Sequence, residues 1–97
     1  MINLDTKSLQ QLKTILKKHV PNYPIWLFGS RATSHCKPHS DIDIAIISTT
    51  PIPDITLARL ETELAESDLP YKVDIVDFAA ATASFQAIIR EHHVKIV

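Results

Sequence analysis

The sequence predicts an α/β fold, α+β in the stricter sense, with one small sheet of three or four strands flanked by helices in the order α-β-(short α)-β-α-β-α. Three observations carry this. Apolar residues recur at helical spacing in three stretches, strand-like apolar runs lie between them, and all six prolines fall in the connections. A chain of 97 residues with 45% hydrophobic and 22% charged residues suits a single domain, 1–97, and excludes wholesale disorder.

The first helix is read from Leu9, Leu12, Ile15, Leu16 and Val20, with Asp5 as its N-cap, Leu4 and Leu9 as a hydrophobic staple, and an end near His19. Pro21 and Pro24 bracket a connection to a short strand, Ile25 to Phe28, whose Trp26 and Phe28 read as core. Asp41 to Ile47 is the second strand. Pro51 and Pro53 close it, and Asp54 is placed to cap a helix with Leu57, Leu60 and Leu64 on its apolar face, ended by Pro70. Lys72 to Asp77 alternates polar and apolar residues as a third strand. A last helix starts near Thr82 or Ser84 with the stripe Phe85, Ile88, Ile89 and His92, while His93 reads as solvated. The tail, Val94 to Val97, is either a frayed end or a small edge strand.

Net charge is only −1, yet it is divided unevenly: residues 1–40 hold six Lys/Arg against Asp5, and residues 41–97 hold four against ten acids. Direct nucleic-acid binding is not expected from so weak a basic balance, and one side meeting phosphate while the other holds metal is an alternative to plain solvated surfaces. No apolar run reaches the length of a membrane helix and the start has no signal-peptide pattern, so the expected location is cytoplasmic and no membrane partner is expected. Cys36 is the only cysteine, which excludes an intramolecular disulfide.

Gly29 is the only glycine in a chain that leaves its turns to proline. A residue without a Cβ lets backbone approach a ligand closely, and Ser30 with Arg31 behind it offers N–H groups and a positive charge to an anion. Alone, Gly-Ser-Arg is an ordinary strand-to-helix turn. Asp41 and Asp43 add a second signal, because side chains two apart on a strand share a face while Ile42 and Ile44 pack on the other. Paired carboxylates repel unless a cation lies between them, and such oxygen donors suit Mg²⁺ together with substrate phosphates. Asp74 is a third acid. If its strand neighbours that of Asp43, the three converge on a site able to bind two metals and to take a proton from an attacking hydroxyl. Asp77 reads as solvated or as a cap of the following turn.

Gly29-Ser30 followed by Asp41-Ile42-Asp43-Ile44, with Asp74 in a later Lys-Val-Asp-Ile-Val-Asp run, resembles the minimal nucleotidyltransferases of the polymerase-β-like superfamily. The resemblance covers nearly the whole chain and implies that family's mixed sheet. It implies catalytic and metal-binding roles for Asp41, Asp43 and Asp74, a nucleotide-phosphate role for Gly29, Ser30 and Arg31, Mg²⁺ as cofactor and ATP as substrate. Many relatives carry a further Gly and Arg between the two motifs. Here the loop from Thr33 to His39 lacks them, with Lys37 as a substitute; its His35, Cys36 and His39 fall short of a four-ligand zinc site and read as polar loop.

The elements consume the chain, so an acceptor hydroxyl is expected to arrive on another protein. Minimal nucleotidyltransferases are commonly paired with a HEPN-domain toxin, and the resemblance implies transfer of AMP from ATP to a tyrosine of that partner, silencing its RNase activity. The alternatives are a silent module that neutralises its partner by binding, and transfer to a small-molecule hydroxyl on a homodimer.

Overall fold

The computed structural model describes residues 4–32 and 41–97, and the expectations for residues 33–40 lie outside them. Helix α1 spans Thr6–His19, and Asp5 caps it as expected, its carboxylate accepting the Ser8 N–H at 3.0 Å. Lys17, Lys18 and His19 occupy its last turn, where positive charge suits the helix dipole. Strand β1, Ile25–Phe28, runs into a 3-10 turn at Gly29–Ala32, in place of the short α-helix predicted there. Strand β2 is Ile42–Ile46, one residue shorter at each end than predicted, so that Asp41 stands at its mouth.

Helix α2, Asp54–Glu66, differs from expectation at both ends. Pro53 holds the cap position without a side-chain bond, and Asp54 is the first helical residue, where its charge still favours the dipole. The helix stops well before Pro70 because Ser67 turns back, its hydroxyl donating to the Leu64 carbonyl at 2.6 Å. Strand β3, Val73–Asp77, leads through a 3-10 turn at Phe78–Ala80 to α3, Ala83–Glu91, capped by Thr82. The tail forms an edge strand, β4, His93–Lys95. Among the described residues no helix is long and apolar enough to cross a membrane.

The sheet order is β3-β2-β1-β4, with β1 antiparallel to both β2 and β4, and β2 parallel to β3. Parallel neighbours need a crossover, which α2 supplies. Alternation gives the sheet two faces. Ile25, Leu27, Ile42, Ile44 and Ile46 pack beneath α1 and α2, against Leu12, Leu16, Leu60 and Leu64. Fully burying such a side chain contributes about 1.5–3 kcal/mol, so this face dominates the stability of the fold. At the outer surface of this layer, Glu63 of α2 accepts from Lys18 at 2.7 Å and lies 2.9 Å from His19.

The second face carries Phe28 and Ala45 with Phe78, Ile89, Trp26 and Val76. Helix α3 sits here, but only Ile89 of the predicted stripe is buried; Phe85 is partly exposed with its ring edge-on to Phe28 at 5.8 Å between centroids, and Ile88 is exposed. The Gln86 side chain donates to the Phe78 carbonyl at 2.7 Å and pins this rotation. His92 is the exposed C-cap of α3 and not a core residue. His93, predicted to be solvated, stacks on Trp26 at 3.8 Å between ring centroids.

Candidate active site

The strand registers align four residues across the second face: His93, Phe28, Asp43 and Asp74, one from each strand. Asp43 and Asp74 are thus direct neighbours on parallel strands, the juxtaposition on which the sequence reading depended. Ile42 and Ile44 hold Asp43 in place, since both are fully buried on the opposite face and a slip of one residue would expose them. Asp43 is half-buried and Asp41, just ahead of the strand, is exposed. Burial, then the charges of Asp74 and Asp41, push the Asp43 carboxyl above the ordinary aspartate range. Lys72 lies 3.6 Å from one oxygen of Asp74.

Gly29 closes the site from the β1 side. Its φ is +72°, a left-handed conformation that side chains resist, and a Cβ here would lie 2.5 Å from Asp43 Oδ2. The carboxylate already occupies the space a side chain would need, which accounts for the chain's single glycine at this position. Ser30 is half-buried beside it. Arg31 turns inward: it is 4% exposed, and its guanidinium carbon lies 4.4 Å from the centre of the Tyr71 ring. The Tyr71 hydroxyl donates to Asp5 Oδ1 at 3.3 Å, so the turn is tied to the cap of α1.

Tyr71 was missed by sequence reasoning, because an aromatic before a strand carries no mark of its stacking partner. Asp77, expected to be solvated or to cap the following turn, is half-buried and stands at the N-cap position of that turn, but its side chain is used elsewhere. Its carboxylate accepts the Ser48 hydroxyl at 2.5 Å and the Ile52 N–H at 2.8 Å, and no side-chain bond from it caps the following turn. It braces the far end of β3 against the segment leaving β2.

Among the described residues no three His, Cys, Asp or Glu side chains close on one point as a complete metal cage. The donor set nonetheless fits magnesium, which is commonly held by one or two carboxylates plus substrate phosphates, and the mutual repulsion around Asp43 is what a cation relieves. A cleft of about 460 Å³ lined by His19, Ile55, Arg59 and Glu63 lies on the outer helical layer and includes none of these acids.

A mixed sheet that sets a glycine turn against neighbouring strand carboxylates is the frame of a nucleotidyltransferase, and the polymerase beta nucleotidyltransferase family model matches residues 10–97. The chain belongs to that family. It is 41% identical over 95 residues to a protein of Haemophilus influenzae named probable protein adenylyltransferase MntA, covering 98% of this chain and 83% of the relative. Its fold is similar to that of a toxin–antitoxin structure with AMP-PNP, at TM-score 0.77 and 26% identity, covering 92% of this chain and 72% of the other. It is also similar to a complex of a tri-AMPylated Shewanella oneidensis HEPN toxin with its MNT antitoxin, at TM-score 0.74 and 23% identity, covering 97% and 72%.

Proposed function

We propose that this protein is a Mg²⁺-dependent protein adenylyltransferase that moves AMP from ATP to a tyrosine hydroxyl of a HEPN toxin, as the antitoxin of the pair. The observation that supports this most is the placement of Asp43, with Gly29 against its carboxylate on one side and Asp74 in register on the other. The Haemophilus influenzae relative, named as a probable protein adenylyltransferase, supports AMP as the group transferred.

In this reading Asp41 and Asp43 hold magnesium together with the phosphates. The bound ion supplies positive charge to the triphosphate and to the crowded carboxylates. Gly29 and Ser30 present backbone to the phosphates, and Arg31 adds charge from beneath the turn. Asp74 takes the proton of the tyrosine hydroxyl as its oxygen bonds to the α-phosphorus. The bond from that phosphorus to the bridging oxygen breaks, and pyrophosphate leaves.

The test is incubation of the protein with its HEPN partner, Mg²⁺ and ATP labelled at the α-phosphate. Label is expected on a partner tyrosine, and Asp41→Asn with Asp43→Asn is expected to reduce it to background. Neutralisation of the toxin by wild-type protein without any label would instead make the chain a binding module.

A further inference from the structure

Strand β3 ends the sheet: β2 pairs with one side of it, and among the described residues no strand pairs with the other. The Ile42 N–H donates to the Lys72 carbonyl at 2.8 Å. Backbone alternation therefore turns the N–H and C=O groups of Val73 and Ile75 toward the open edge. An edge of this kind is a template for a further strand. All five residues of β3 are only half-buried. Along the edge runs a groove of about 520 Å³, walled by Glu61 and Leu64 of α2, by Leu69, and by Val73, Asp74 and Ile75. Of the three acids, Asp74 alone lines it.

We propose that this edge is where the acceptor docks: an extended, tyrosine-bearing segment of a partner protein pairs with Val73 and Ile75 as an added strand and so delivers its hydroxyl to Asp74. This rests on the transferase reading, since it is the shared Asp74 that joins the groove to the chemistry. Register sets the specificity. A tyrosine opposite Asp74 lies on the face of the acids, and strand alternation sends its two neighbours to the other face, into the apolar wall of Leu64, Leu69, Val73 and Ile75. The preferred acceptor is therefore a tyrosine with an apolar residue immediately on each side.

The test uses short synthetic peptides with a central tyrosine flanked on both sides by leucine or by serine, with labelled ATP and Mg²⁺. The leucine-flanked peptide is expected to be labelled roughly tenfold faster or more, the effect of about one buried apolar side chain. It is also expected to slow amide hydrogen exchange at Val73 and Ile75. Val73→Pro removes one outward N–H at the first residue of an edge strand, where proline is tolerated, and should raise KM for the peptide while leaving KM for ATP unchanged. Val73→Thr, which keeps the N–H, should behave as wild type. Equal labelling of both peptides, or edge amides unaffected by peptide, overturns the proposal, as does protection that instead grows with protein concentration and marks a second copy on the edge. Absence of label on any acceptor, peptide or HEPN protein, counts against the transferase, while the exchange data still decide the docking.

Discussion

Replacing Gly29 with alanine tests the site through its geometry. A side chain at φ +72° costs about 1–2 kcal/mol. The added Cβ would meet Asp43 Oδ2 at 2.5 Å and its Cγ at 3.3 Å, so the carboxylate must leave its rotamer, at about 0.5–1.5 kcal/mol. Alanine also restricts the unfolded chain, which returns about 0.4–1 kcal/mol. The net loss is about 2 kcal/mol, or roughly 8–16 °C in Tm for a domain of this size. Thermal unfolding followed by circular dichroism measures it. In an Asp43→Ala background the colliding atoms are gone, so the same substitution should cost about 1 kcal/mol less. A loss below about 0.5 kcal/mol, or equal losses in both backgrounds, would refute the claim that glycine is required because Asp43 fills its space.

Two further outcomes concern the frame. Asp77→Ala removes the acceptor of the Ser48 and Ile52 bonds and should cost about 2–4 kcal/mol, seen as a lower urea midpoint at unchanged slope, with Asp77→Asn recovering part of it; an unchanged midpoint would show that the brace carries nothing. Hydrogen bonds from Lys18 and then His19 hold the Glu63 carboxyl below the ordinary glutamate range, so its ionised form stabilises the fold at neutral pH and that contribution is lost as pH falls through the lowered value. The Tm of Glu63→Gln should therefore lie below wild type at pH 7 and meet it in acid, and a gap that persists in acid would assign the effect to packing.

Much of the frame was legible because its signals are local. Helix α1 follows from apolar spacing and the Asp5 cap, and Gly29 stood out because proline serves the turns. The neighbouring of Asp43 and Asp74 was legible only as a condition, since alternation tells which face a residue takes but not which strand lies beside it. Helix α3 was misjudged for a different reason. Its apolar stripe is real, but only Ile89 is buried; Phe85 meets the Phe28 ring edge-on from the rim and Ile88 stays outside, with the Gln86 bond to Phe78 holding the helix in this setting. Where the helix ends at Glu91 the period changes from 3.6 to 2, and it is His93, not His92, that reaches Trp26.

Because β2 and β3 run in the same direction, the helical crossover between them must be complete before Asp43 and Asp74 meet. A chain still leaving the ribosome carries Gly29, Asp41 and Asp43 early, yet has no Asp74 beside them. The meeting of these acids is thus a product of tertiary folding and not of local sequence, and on the proposed mechanism a molecule whose third strand has come away would be silent even with every residue present.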